Sequence, residues 1–577
     1  MIVKIADNII SPLGFTTEEN YVAIKAGRSA LCRYEGLWNL PEPFVASLFD
    51  RDQLRELWQT FDCSGDRFTL FEQLLIMSVA RALQQCSVDA TSKRVVFILS
   101  TTKGNVHLMR ECLHGNASEQ VFLGVTARSV SQYFGNPNMP IVVSNACISG
   151  VCAQIEALRT LEADDYDYAI VMGAEVQSPF IVSGFQSFKA LSPERCKPFD
   201  AHRQGLNLGE AAATIIYAKS SNSPCWAALN GVIRNDANHI SGPSRTGEGS
   251  YRALIDTLGD YDRTRLALLN VHGTATLYND EMESIAINRA QLSDVPVNAL
   301  KGYYGHTMGA AGVMESILSM RALDDHTIIG TQGYEEHGVS QTLSISAVNR
   351  TTNKQAFVKL LSGFGGCNAA LLFEKQQSVA NQECPIKIST THVLHHVTIT
   401  PKGAQLDGVP IQCEHQEREL LAELYRKEIN DYPKFFKMDA LCKLGFVATE
   451  LLLKCERKNS TLQDHSHDRT VLFFNRTSSY SADFDYQKTI QEETDFFPSP
   501  SVFVYTLPNI VTGEVAIRNK YYGETNFFVL PSQNEEEMNR CLRHVFQDSS
   551  CHSVITGWID CKSLDDYYAN IVLISDN

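Results

Sequence analysis

Four short apolar runs, each closed by small or polar residues, recur along the first half of this 577-residue chain: RVVFILS (94–100), IVVSNA (141–146), YAIVMGAE (168–175) and LALLNVHG (266–273). They read as buried strands. Between them stand longer stretches with helical spacing, such as FEQLLIMSVARALQQ (71–85) and GVCAQIEALRTLEA (150–163). Strands that alternate with helices restrict the chain to layered α/β architecture.

Composition narrows the functional classes. Hydrophobic residues are 44% and charged residues 20%, which suits a large buried core and excludes a disordered, collagen-like or coiled-coil chain. The length fits about three to four domain-sized units. Fifty basic against 66 acidic side chains leave a net charge of −16, so a general nucleic-acid or anionic-membrane binder is disfavoured by like-charge repulsion. No apolar run is long enough to span a membrane. The N-terminus MIVKIADNII carries Asp7 and does not read as a signal peptide. Sixteen cysteines without a CxxC pair point to a reduced, cytoplasmic compartment, where a cysteine is free to act as a nucleophile.

The polar stretch QQSVANQECPI (376–386) reads as a boundary before a C-terminal region that repeats part of the N-terminal one. FFKMDALCKLGFVATELLLK (435–454) resembles the helix at 71–85, RTVLFFNRTSS (469–479) resembles RVVFILSTTKG (94–104), and SVITGWID (553–560) resembles AIVMGAEV (169–176). Aligning FFVL (527–530) with IVVS (141–144) sets Gln533 opposite Cys147. From there to the glycine of the next strand is 26 residues in one copy (Cys147 to Gly173) and 24 in the other (Gln533 to Gly557).

Cys147 follows an apolar strand and precedes an amphipathic helix. A side chain at that junction sits near unpaired helix N–H groups, which favour a thiolate. Small neighbours Ala146, Ser149 and Gly150 leave room for a substrate. Taken alone, a buried structural cysteine is the commoner reading, and it applies to Cys152, Cys196 and Cys367. Two histidines in small-residue turns change the balance: His272 in LLNVHGTATLYNDEME (268–283) and His306 in KGYYGHTMGAAGVME (301–315). The turn LSGFGGCN (361–368) allows close backbone approach and an N–H donor for an oxyanion.

NAC at 145–147, HGTAT with ND and E at 272–283, K-x-x-x-G-H-x-x-G-A-A-G at 301–312 and GFGG-x-N at 363–368 together resemble the elongating β-ketoacyl-acyl-carrier-protein synthases, and SPLG (11–14), PFD (198–200) and GLNLGE (205–210) match too. The resemblance covers roughly residues 1–375. It implies a thiolase-like five-layer αβαβα fold of two similar halves, 1–245 with the nucleophile and 246–375 with the histidines. Residues 390–577 then form a degenerate half-unit without catalytic residues. It implies Cys147 as the acyl-accepting nucleophile, with His272 and His306 stabilising charge during loss of CO2 from malonyl-carrier. Lys301 and Glu315 match a supporting ion pair. Backbone N–H groups of Cys147 and Phe364 match the oxyanion donors, and Phe364 also matches an aromatic gate. Thr274 and Thr276 match contacts to the pantetheine arm. No further cofactor is implied, because the substrates carry phosphopantetheine on acyl carrier protein.

The expected activity is decarboxylative condensation of an acyl thioester with malonyl-carrier in fatty-acid or polyketide-type synthesis. The alternatives are a non-catalytic chain-length-factor-like subunit, which also carries Gln at the nucleophile position, and a thiolase or acyltransferase acting on coenzyme A esters. The family implies a homodimer or a pairing with a related synthase-like subunit. Several residues depart from the pattern. Ile148 is expected to narrow the acyl tunnel, Ala275 stands where glycine is common, Leu361 and Ser362 replace Ser-Phe, and Cys367 replaces Thr. Carrier proteins are acidic, so Arg195, Lys197 and Arg203 are docking candidates. No metal site is expected; DHSHD (464–468), His395 and His396 read as solvated polar residues.

Overall fold

The computed structural model describes residues 1–61, 67–115, 118–380, 391–459, 464–491 and 496–576. The boundary read at 376–386 therefore lies partly outside the described residues.

Among the described residues one five-strand pattern occurs three times. In the first, β1 (Ile2–Ile10), α1 (Leu70–Leu83), β2 (Val95–Ser100), β3 (Ile141–Val143), α2 (Ser149–Glu162), β4 (Tyr168–Glu175) and β5 (Ala211–Ala218) follow in chain order. Strands β3, β2 and β4 pair in parallel, and β5 and β1 then add antiparallel. In the second, β6 (Cys225–Asn235), β7 (Leu268–Asn270), β8 (Pro296–Asn298), α3 (Ala311–Asp324), β9 (Ala356–Gly363) and β10 (Cys367–Gln376) give the same order: β8, β7 and β9 parallel, β10 and β6 antiparallel. Helices α2 and α3 pack on each other between these two sheets. Helix α1 covers the outer face of one sheet and the helix Glu248–Leu258 that of the other, which completes a five-layer, thiolase-like body.

The third copy uses β11 (Thr391–Thr400), α4 (Ala440–Asn459), β12 (Arg469–Asn475), α5 (Ile510–Asn519), β13 (Thr525–Val529), α6 (Glu535–Val545), β14 (Ser553–Ser563) and β15 (Asp566–Asp576). Strands β13, β12 and β14 are parallel, followed by antiparallel β15 and β11. Helix α4 starts later than the expected 435, because the Asp439 carboxylate accepts from the Leu441 and Cys442 N–H groups and caps it there.

The third copy is joined to the first edge to edge. Phe528 pairs with Val143 and Val529 with Val142, antiparallel. The sheet therefore runs without interruption from β2 through β3 into β13 and β12. Buried charge pairs reinforce the seam: Arg159 makes a two-pronged bond to Glu524 (3.0 and 2.7 Å), and Lys103 bonds the Asp483 carboxylate (2.6 Å) and the Thr506 carbonyl. Removing one partner of such a buried pair costs about 3–5 kcal/mol, because the remaining charge is left in a dry site.

Helices α2 and α6 differ in how far they are buried. Helix α2 lies between two sheets and is buried from Ser149 to Leu161. Helix α6 starts at the matching place, but among the described residues no second sheet covers it. Only Glu537, Cys541, His544 and Val545 are buried, and its outer face carries Glu535, Glu536 and Arg543.

His544 is fully buried, with Nδ1 2.7 Å from Glu156 on α2 and Nε2 2.7 Å from Asp165; Arg540 and Arg543 also face Asp165. Burial alone would lower the imidazole pKa, but the two carboxylates outweigh it and raise the value. A raised histidine contributes stability below its unfolded pKa of about 6.5 and loses it as pH climbs through the folded value. His544→Gln should therefore lower Tm most near pH 6, and the gap to the unsubstituted protein should narrow toward pH 9. Thermal melts across that range with a constant or widening gap would contradict this.

Candidate active site

The chain leaves β3 after Val143, earlier than IVVSNA predicts, because Ala146 adopts a left-handed conformation (φ 48°) and turns it. The Asn145 N–H bonds the Ser149 hydroxyl (2.8 Å), which donates to the Ala146 carbonyl (2.6 Å). Cys147 follows on a single helical turn that opens into α2. Gly363 comes against this turn; a Cβ built there would lie 3.3 Å from the Cys147 nitrogen and 3.2 Å from the Ala146 Cβ. Glycine is thus what lets the 363–366 turn approach the Cys147 amide.

His272 follows β7. Its N–H and that of Gly273 both donate to Glu283 (2.7 and 2.9 Å), and Lys301 Nζ donates to its carbonyl (2.6 Å). His306 follows Gly305, whose left-handed φ of 70° and tight fit against the Leu208 carbonyl exclude a side chain. The Met308 N–H donates to His306 Nδ1 (3.3 Å), so the ring proton belongs on Nε2. Sγ of Cys147 and one nitrogen of each histidine lie within 4.8 Å of one another. The imidazoles stand edge to face with centroids 5.1 Å apart. His272 Nδ1 and His306 Nε2 are buried with no hydrogen-bond partner among the described residues. Buried polar atoms without a partner in a native fold call for an explanation, a bound ligand or water among them.

Charge sets the protonation states. Lys301 and Lys359 both bond the fully buried Glu315, Lys301 at 3.1 Å. Burial would raise Glu315, but the two lysines hold it below its ordinary value. Burial brings Lys359 down to about 8. Burial, then the Lys301 charge, pushes both histidines well below the ordinary imidazole value, so both are neutral. The thiolate bias expected from the helix terminus does not prevail. Burial pushes the Cys147 thiol up to about 12, with Lys301 opposing. At rest it is a protonated thiol beside neutral imidazoles.

Cys147, His272 and His306 line one cavity of about 430 Å³. Thr274 and Thr276, whose hydroxyls are 3.0 Å apart, line it toward an opening beside Leu277 and Tyr278, which are 65% and 45% exposed. Phe364 stands beside Cys147 and packs on Phe188 (centroids 5.7 Å). Phe503, Thr506 and Leu507 from the C-terminal region complete the cavity's lining. Gly184 gives the Phe503 ring its room; a Cβ there would fall 2.1 Å from it.

Other expectations are placed differently. Ile148 is fully buried in the layer between the sheets and does not line the cavity, so it does not narrow a tunnel. Arg203 is buried and bonded to the carbonyls of Asp200, Gly338 and Leu277, which removes it from any docking surface. Lys197 faces Glu335, and exposed Arg195 reaches the Leu31 carbonyl. Gln533 stands four residues past β13 and two before α6, the same steps that separate Cys147 from β3 and α2. It is exposed. The glycine spacing is out by two because Gly173 lies in the row of Val143, whereas Gly557 lies in the row of Phe527, not Val529. His465 pairs with Asp468 and Glu456, and His395 pairs with Asp407 beside Cys455. Ala275 has φ 63°, which explains why glycine suits the position; burial of its methyl beside Leu31, Val45 and Cys196 offsets the strain. Lys359 was missed. Its signal was a lysine inside the apolar strand AFVKLLSG.

A thiolase-like fold that brings a thiol and two imidazoles to one cavity defines a class, the thiol-dependent condensing acyltransferases. Residues 8–222 match the beta-ketoacyl synthase N-terminal domain and 227–335 the C-terminal domain, and the chain belongs to that family. It is 27% identical over 417 residues to a putative mitochondrial 3-oxoacyl-[acyl-carrier-protein] synthase of Schizosaccharomyces pombe, covering 63% of this chain and 97% of that protein. It is 28% identical over 411 residues to 3-oxoacyl-[acyl-carrier-protein] synthase 2 of Vibrio harveyi, covering 64% and 96%. The PfaC keto synthase–chain length factor structure shares the fold over 100% of this chain and 78% of its own, with TM-score 0.77 and 13% identity.

The raised thiol predicts how Cys147 reacts. Its alkylation by iodoacetamide, followed on the Cys147 peptide by mass spectrometry, should keep rising from pH 7 to pH 10, by about tenfold per unit where thiolate is limiting. A plateau below pH 8 would show a thiolate already formed at rest.

Proposed function

We propose that this chain joins an acyl group to a malonyl unit, both delivered on acyl carrier protein, releasing CO2 and a 3-oxoacyl product two carbons longer. The observation that carries the reading is the meeting of one thiol and two neutral imidazoles, each with an open ring nitrogen, at a cavity reached past Thr274 and Thr276. The similarity to 3-oxoacyl synthases over the whole length of the body supports it.

The steps follow from the electrostatics. Cys147 Sγ attacks the acyl thioester carbonyl while a neutral imidazole takes its proton. The backbone N–H groups of Cys147 and Phe364 receive the oxyanion. The tetrahedral adduct collapses, the pantetheine sulfur leaves with a proton, and the acyl group stays on Cys147. A malonyl thioester then enters. Its C–CO2 bond breaks, and the electron pair becomes an enolate whose oxygen accepts from His272 and His306. Neutral donors suit this step, because the oxyanion forms in a dry pocket where an N–H bond is strong. The enolate carbon attacks the Cys147 thioester, the thiolate is expelled as the product forms, and a proton from solvent restores the thiol. Lys301, Glu315 and Lys359 act from behind by holding the His272 backbone and keeping the imidazoles unprotonated.

The C-terminal region fills the place of the related partner subunit within the same chain. Its β13 takes the edge of β3, and Phe503, Thr506 and Leu507 finish the cavity. Leu277, Tyr278 and Lys189 at the opening form the face for the carrier protein. The complete set of catalytic groups disfavours a chain-length subunit without activity.

Cys147→Ala should abolish turnover of acyl- and malonyl-carrier, whereas Cys147→Gln should still release CO2 from malonyl-carrier. Product formation by the alanine variant would overturn the assignment. Phe503→Ala should shift the preferred acyl group longer by at least one two-carbon unit, read from the products by mass spectrometry. An unchanged product profile would remove the C-terminal region from length selection.

A further inference from the structure

The turn 363–366 is held from the far side of the seam. Asn509, the residue before α5, is 1% exposed. Its Nδ2 donates to the Phe364 carbonyl (2.8 Å) and lies 3.7 Å from Cys367 Sγ. The Gly365 N–H of the same peptide group donates to the Ile240 carbonyl (2.6 Å). Both ends of the Phe364–Gly365 peptide are therefore fixed, one by the C-terminal region and one by the body. Packing closes the arrangement. A Cβ on Gly365 would lie 2.7 Å from Asn509 Nδ2, and one on Gly513 in α5 would lie 2.6 Å from the Gly365 carbonyl. The assignment of the amide follows from its partner, because the Phe364 carbonyl accepts only from a donor.

We propose that Asn509 is a positioning residue for the acylation step: it orients the turn whose Phe364 N–H receives the oxyanion formed when Cys147 attacks. This rests on the reading of Cys147 and Phe364 given above. The proposal makes the chemistry of the body depend on a side chain of the region without catalytic residues, through a single hydrogen bond rather than through cavity shape. Released from Asn509, the Phe364–Gly365 peptide keeps only the Ile240 bond at its other end, and the neighbouring Phe364 N–H is held less firmly in line with the developing charge. Losing an oriented oxyanion donor costs on the order of 100-fold, and misplacing one costs a part of that.

The test uses the full chain and two reactions of the same sulfur. Acyl transfer from acyl-carrier to Cys147 passes through an oxyanion; alkylation by iodoacetamide is a displacement at carbon and does not. In Asn509→Ala, and in the milder Asn509→Ser, single-turnover acylation should slow by about 10- to 100-fold while alkylation of Cys147 at fixed pH stays within about twofold. Malonyl decarboxylation by the Cys147→Gln protein should be nearly unaffected by adding Asn509→Ala, because its charge is met by the histidines. Acylation at the unsubstituted rate would overturn the positioning role alone. A parallel fall in acylation and alkylation would show that Asn509 merely holds the fold, and would also overturn it. Absence of an acyl group on Cys147 in the unsubstituted protein would instead bring down the reading of the site itself.

Discussion

The short antiparallel pairing of Val142 and Val143 with Val529 and Phe528 governs the rest of the molecule. It is made just before the chain turns at Ala146 to present Cys147. The edge of β3 is thereby satisfied inside the polypeptide instead of being left open as a template for another strand. Two paired residues are weak alone, so the seam draws its strength from what surrounds it. Arg159 with Glu524, Lys103 with Asp483, and His544 between Glu156 and Asp165 are buried charges that need their partners across the boundary. The Asn145 side chain, next to the nucleophile turn, also donates to the Thr525 carbonyl (2.9 Å). The turn before Cys147, the 363–366 turn and the cavity lining thus all touch the C-terminal region.

A second constraint is the positive charge kept behind the histidines. Glu315 sits between two lysines, leaving the cluster with an excess of positive charge in a dry interior. That excess disfavours imidazolium, so the rings stay neutral and donate hydrogen bonds without carrying a proton. The same burial keeps Cys147 as a thiol. The site is then largely uncharged at its reacting face when empty, and its donors await the charge that appears during the reaction. Preorganisation of this kind avoids reorienting dipoles at the moment of bond breaking.

Much of this was legible in the chain. Short apolar runs marked the strands of the body, and the motifs singled out Cys147, His272, His306 and Phe364, which line one cavity, and Lys301, which bonds the His272 carbonyl from behind. The α2/α6 contrast was not visible: the helix after Cys147 reads as amphipathic, yet α2 is buried from Ser149 to Leu161, Gln154, Glu156 and Arg159 included, because sheets cover it on both sides. Legibility failed where a property depends on distant packing. Ile148 follows the nucleophile in sequence, yet the turn at Ala146 sends its side chain between the sheets. Arg203 looked free but spends its donors on three carbonyls. The state of the Cys147 thiol depends on burial, which local spacing does not report. Lys359 and Asn509 act only through contacts that join residues far apart in the chain.

The most direct measurement is a crystal structure of the protein after acyl transfer from a long-chain acyl-carrier. Density should leave Cys147 Sγ, pass Phe364 and end against Phe503 and Leu507, with the thioester oxygen facing the Cys147 and Phe364 amides. An acyl chain lodged beside Ile148 between the sheets, or attached to a different residue, would contradict the account.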